Sequence, residues 1–167
     1  MLRHPNRLSL AALSAFFIIP TLGAQAPPQS HAMIEWSADL SGAKDSSLGL
    51  QEKAVQTPAT GKVTASFDFD HQTITFQGQV KNIVGVSRIE LRAARSTGDL
   101  SGPVLVTLFD ARDGPFTGTF IKTVPSQSFT QIAAAINNGQ AAVVVTTSAH
   151  PDGEIAGFIL MHKYYQR

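Results

Sequence analysis

The chain has 167 residues, 13 of them basic and 12 acidic, a formal net charge of +1, and no cysteine. Near-neutrality without a Lys/Arg-rich block gives no electrostatic case for nucleic acid or an acidic membrane surface. The missing cysteines exclude a disulfide framework and thiol lipidation, and the length suits one domain with its own core.

Arg3 and Arg7 precede an apolar run over residues 8–19 (LSLAALSAFFII); Pro20 ends it, and Leu22-Gly23-Ala24-Gln25-Ala26 supplies small residues for a peptidase. Basic start, apolar run and small-residue site are the three parts of a secretory signal peptide. The run is shorter than the about 20 residues a bilayer span needs. The expectation is a signal peptide over residues 1–24, cut after Ala24 or Ala26. The protein is then exported, periplasmic or secreted, with no stable membrane insertion after cleavage. Losing Arg3 and Arg7 leaves 11 basic residues against 12 acidic, a charge of −1. Residues 25–32 are Pro-rich and polar and read as a disordered lead-in, so the domain runs over residues 33–167.

Within the domain, period-2 alternation of apolar and polar residues dominates. Residues 34–40 place Ile34, Trp36, Ala38 and Leu40 on one face of a strand. Residues 41–60 are rich in Gly, Ser, Lys and Pro and read as a long excursion, with a short strand considered over residues 48–50. Residues 63–69 and 74–80 alternate around Asp70-His71-Gln72, the clearest hairpin of the chain. Residues 86–93 oppose Ile89 and Leu91 to Arg88, Glu90 and Arg92. Further strands are read over residues 103–109 and 116–124, with a turn at residues 110–114.

One helix interrupts. Ser128 and Gln131 have capping-box spacing, Phe129, Ile132, Ala133 and Ile136 share one helical face, and Asn138-Gly139 closes it. Two apolar runs, residues 141–148 and 154–161, then flank His150-Pro151-Asp152-Gly153, whose residues suit a tight turn. The first run is apolar almost throughout, as in a strand covered on both faces. Seven or eight short strands with one short helix before the last hairpin indicate an all-β fold. An antiparallel sandwich or barrel, immunoglobulin-like or Greek-key, is expected.

No catalytic constellation emerges. His31, His71, His150 and His162 share no metal-like spacing, and zinc or copper needs three or four converging ligands. Asp68 with Asp70, and Asp110 with Asp113, suit turn formation better than calcium chelation. Phe67, Phe69 and Phe76 lack the basic surround of a base-stacking platform and read as core, as does Trp36. Glu154, at the start of a strand, is expected to accept backbone N–H groups of its turn and lock the hairpin.

The closing hairpin and the strands before it resemble the CHRD domain, a β-rich module also found in exported bacterial proteins. The resemblance rests on Gly61 opening its strand, on Gly102-Pro103-Val104 with Val106 and Leu108, and on Asn138-Gly139. Its most specific part is Thr147 followed by Pro151, Gly153, Glu154, Ile155 and Gly157. These six positions are expected to be structural. The resemblance implies an all-β domain without an assigned enzymatic activity. Typical members carry a His-x-His pair where this chain has Arg88 and Glu90, and a further histidine where it has Thr146. Two such histidines on a strand point the same way and suggest a metal site in those members; here every one of those positions differs. Arg88, Glu90 and Thr146 are therefore candidate pocket positions. The expected function is an exported, non-catalytic binding or structural domain, with no cofactor and an unidentified protein or small-molecule partner. The alternative is a periplasmic metal-binding or redox protein on the same scaffold. The loops at residues 41–60, 94–102 and 110–114 are candidate contact surfaces.

Overall fold

The computed structural model describes residues 33–42, 55–94, 100 and 102–165. The expected signal peptide and lead-in lie outside the described residues, as do residues 48–50 and most of the stretches 41–60 and 94–102 that are expected as loops. Among these residues nine strands and one α-helix follow in order: β1 Met33–Ser41, β2 Thr60–Asp68, β3 Thr73–Lys81, β4 Val86–Ala93, β5 Val104–Asp110, β6 Thr119–Val124, α1 Ser126–Asn137, β7 Ala141–Thr147, β8 Ile155–Phe158 and β9 Leu160–Tyr165, with a 3-10 turn at Ala111–Asp113 after β5.

All nine strands belong to one sheet, in the order β5-β4-β7-β8-β1-β2-β3-β6, with β9 also on β1. Every ladder is antiparallel. The end strands β5 and β6 approach each other without a ladder between them. The sheet is therefore a nearly closed barrel, the barrel-like form of the all-β expectation. Closure of this kind hides most of the sheet edge that would otherwise pair with other chains.

Alternation fills the interior. Val63, Ala65 and Phe67 of β2, Ile74 and Phe76 of β3, Ile89 and Leu91 of β4, and Val143 and Val145 of β7 are all buried in one cluster. Fully burying a Val, Leu, Ile or Phe side chain stabilises by about 1.5–3 kcal/mol. Trp36 packs on Phe67 with ring centroids 4.0 Å apart. Phe67 and Phe76 are core, while the half-exposed Phe69 meets Phe129 of α1 edge-on at 5.9 Å. Strand β7 is buried along its whole length, as its apolar run predicts. Its inner residues join the main core; Ala142 and Val144 face outward into a second cluster with Ala94, Leu100, Ala156 and Phe158.

Three boundaries differ from expectation. The helix starts at Ser126 behind Pro125, and no side chain caps it. The Ser128 N–H bonds the Pro125 carbonyl at 3.2 Å, so Ser128 lies within the first turn and the Ser128–Gln131 capping box does not form. Pro125 has its φ fixed near the helical value and no N–H to satisfy, which suits a helix entry. Strand β6 begins at Thr119, because Gly118, at φ +93°, turns the chain. The last apolar run is two strands rather than one. Ile159 donates its N–H to the Ala141 carbonyl at 2.9 Å, and the chain there leaves β7 and continues along β1 as β9.

Candidate functional site

The outer face of β4 and β7 carries the only concentration of buried charge among the described residues. Strand β4 alternates, so Arg88, Glu90 and Arg92 project to the face opposite Ile89 and Leu91. Glu90 is 2% exposed. Arg88 Nη1 donates to its Oε1 at 3.0 Å; Arg92 donates to its Oε2 from Nε at 2.9 Å and from Nη2 at 2.6 Å. A buried carboxylate is tolerated only with such partners, because an unpaired one would lose its hydration with nothing in return. Thr146 is the register partner of Arg88 on β7, and its hydroxyl donates to the Arg88 carbonyl at 3.4 Å.

Bulges surround this triplet. The β4–β7 register shifts between Val86 and Arg88, and the β4–β5 register shifts at Ile89/Glu90 and at Leu91/Arg92. The first of these lets Val86 and Ile89, three apart, both reach the core. Bulges re-aim side chains and recur beside functional sites. Next to them lies a depression of about 210 Å³ framed by Ser87, Arg88, Arg92, Thr146, Thr147, Ser148 and Pro151. The structure thus brings Arg88, Glu90 and Thr146 together. Glu154 is not part of that depression.

Glu154 instead sits at the base of the closing turn. Thr147 donates its hydroxyl to Oε2 at 2.8 Å, and Thr57, 97 residues away, donates to Oε1 at 2.7 Å. Each hydroxyl in turn accepts a backbone N–H: His150 to Thr147 and Ala59 to Thr57, both at 3.1 Å. The carboxylate therefore does not bond the turn amides directly, as its sequence position suggests; two threonine hydroxyls stand between. It binds the hairpin to the segment entering β2. Of the other motif residues, Pro151 is exposed and frames the depression, and three have backbone or packing roles. Gly153 adopts φ +138°, a region that favours glycine. Ile155 is core. Gly157 presses on the Asp39 backbone carbonyl and leaves no room for a Cβ.

Two further acids, Asp68 and Asp110, are occupied too. Asp68 accepts the His71 N–H at 3.0 Å and meets its ring Nδ1 at 2.8 Å. Those two hydrogen bonds hold the Asp68 carboxyl below its usual range, and the side-chain bond raises the His71 imidazole above its own. Asp110 takes both oxygens' worth of Arg112, Nε at 3.0 Å and Nη2 at 2.6 Å, plus the Arg112 N–H at 2.9 Å. The Arg112 side-chain bonds, then its backbone bond, hold Asp110 down to about 2, and the nearby charge of Arg88 adds to this. This pair rims a larger depression, about 420 Å³, between β5 and β6, with Asp113 and Lys122. Among the described residues no three His, Cys, Asp or Glu side chains converge as a metal site.

The residues at positions 88, 90 and 146 do not fit a metal. Their one carboxylate is held between two guanidiniums, and a cation there would meet two positive charges first. Sequence reasoning left Arg92, Ser87 and Ser148 out of the site. Arg92 was legible as the third member of an Arg-x-Glu-x-Arg alternation; Thr57 had no local signal, because it meets Glu154 only through the fold.

A family model described as the CHRD domain matches residues 36–159. The match spans most of the chain, which therefore belongs to the CHRD domain family. No curated protein and no solved structure shows significant similarity to it.

Proposed function

We propose that this CHRD-family chain is an exported, non-catalytic domain whose role is to bind a partner, and that it does so on the outer face of β4 and β7. The observation that carries this reading is the state of Glu90. General acid–base work needs a carboxyl that can exchange a proton with a substrate. Glu90 is enclosed and clasped by Arg88 and Arg92, which fixes the two arginines and withholds the acid. Asp110 is similarly taken by Arg112. What this face offers a ligand is cations and hydroxyls held on a rigid barrel. Export is supported by the basic, apolar and small-residue order of residues 1–26.

Two measurements test the proposal. Expression in a bacterial host followed by fractionation and mass spectrometry should find the protein outside the cytoplasm, shorter by residues 1–24 or 1–26. Elemental analysis of that purified form should find no stoichiometric zinc or copper. A full-length cytoplasmic product defeats the export half. Stoichiometric metal replaces the binding role with that of a metal-binding or redox protein on the same barrel.

A further inference from the structure

The binding role just proposed leaves the ligand open; resting on that reading, we propose that the depression beside Arg88 is a site for a small oxyanion, a phosphate, sulfate or carboxylate group. Charge comes first. At this depression two guanidiniums, those of Arg88 and Arg92, answer one carboxylate, Glu90, while the neighbouring Asp110 is taken by Arg112. One positive charge remains, and the lining of the depression includes no acid.

The geometry assigns that charge to Arg88. Its Nη1 is held by Glu90; its Nε and Nη2 have no protein acceptor among the described residues, and its side chain is 55% exposed. A guanidinium offers a planar fork that matches an oxyanion with two parallel bonds. Arg92 is held more tightly, by two bonds to Glu90, and is mostly covered. Glu90 acts here as a positioning residue: it orders both side chains before the ligand arrives, which lowers the entropy lost on binding.

Neutral donors complete the frame. Ser87, Thr146 and Ser148, each carrying a hydroxyl, line the same depression. The Thr146 bond to the Arg88 carbonyl is long, at 3.4 Å, and easily exchanged for a charged acceptor. Size agrees with charge. A volume of about 210 Å³ lies below the ~300–1,000 Å³ that encloses drug-sized ligands. It suits a small ion or one acidic group of a larger molecule.

The test is calorimetric titration of the purified protein with sodium phosphate and, separately, sodium acetate, each against sodium chloride at matched ionic strength. The same additions are followed by NMR of the backbone amides and arginine Nε–H groups. Saturable binding of either anion is expected, with the largest shifts at Arg88 Nε–H and at the Thr146 and Ser148 amides. Phosphate and acetate arms distinguish a phosphate source from a carboxylate one. Arg88→Gln should weaken binding at least about tenfold, since a hydrogen bond to a charged group is the strongest contact on offer. Lys122→Gln, which removes a cation from the other depression, should leave it unchanged.

Silence of the unaltered protein to both anions overturns the proposal, as do shifts confined to the β5–β6 depression or undiminished binding in Arg88→Gln. The shift map of the unaltered protein decides the matter even if that variant folds poorly. A protein silent to anions and free of metal loses the oxyanion site but keeps the non-catalytic role. Stoichiometric zinc or copper on this face ends both.

Discussion

Glu154→Ala should unfasten the closing hairpin from the segment before β2. The side chain accepts two hydroxyl bonds, at 2.7 and 2.8 Å, from Thr57 and Thr147. A hydrogen bond to a charged group contributes about 1.5–3 kcal/mol net. Glu154 is only half-buried, so each bond belongs at or below the low end, and the freed hydroxyls keep their accepted N–H groups. The expected loss is about 2 kcal/mol. For a domain of this size, each kcal/mol lowers the melting temperature by roughly 3–5 °C, which gives a fall of about 6–10 °C. Far-ultraviolet circular dichroism during a thermal melt reads it, with urea unfolding as a second measure. Thr57→Val removes one arm and keeps the shape. Together with Glu154→Ala it closes a double-mutant cycle whose coupling should be about 1 kcal/mol. An unchanged melt for Glu154→Ala, or strict additivity in the cycle, refutes the clasp.

Gly157→Ala should do more harm. The new Cβ would meet the Asp39 carbonyl, backbone in β1 that cannot swing aside, so a loss above about 3 kcal/mol is expected; a native melting temperature counts against it. Arg112→Ala should raise the Asp110 midpoint from about 2 part of the way toward 3.8, because the residue-112 N–H and the charge of Arg88 stay in place, read by carboxyl NMR. The folded value lies below the unfolded one, so the pair stabilises above about 3.8 and that contribution is lost as pH falls toward 2. An Asp110 midpoint that does not move contradicts the pairing. Asp68→Ala should lower the His71 midpoint toward 6.5, because the lost hydrogen bond is the main cause of its elevation; an unmoved imidazole titration disproves that cause.

Legibility followed the range of each interaction. Alternation depends only on neighbouring residues, so β2, β3, β4 and β7 could be read directly, and the two-sided burial of β7 followed from its unbroken apolar run. The helix face was readable, but its start was not: Pro125 competes with Ser128 as the entry, and the chain takes the earlier one. The break at Ile159 had no local marker, because it arises where one extended stretch is shared between β7 and β1. At the sites, Arg88, Glu90 and Thr146 were gathered by resemblance and meet across a ladder. Thr57 was invisible because its partner is fixed only once β1 and β2 place the entering segment beside the turn.

The two sets of polar residues on β7 divide along the pleat. Thr146 and Thr147 are adjacent, so their side chains leave opposite faces. Thr147 continues the inward series of Val143 and Val145 and ends on Glu154. Thr146 continues the outward series of Ala142 and Val144 and ends beside Arg88. Among the described residues no hydrogen bond joins the Thr57–Glu154–Thr147 clasp to the Arg88–Glu90–Arg92 cluster. Groups that share no partner contribute nearly independently. The hydrogen bonds of the clasp and of the cluster are thus separate, although Thr147 also frames the depression beside Arg88. The hairpin motif is in this way held by Thr57, Glu154 and Thr147, none of which bonds the charged side chains at positions 88, 90 and 92 of this CHRD-family chain.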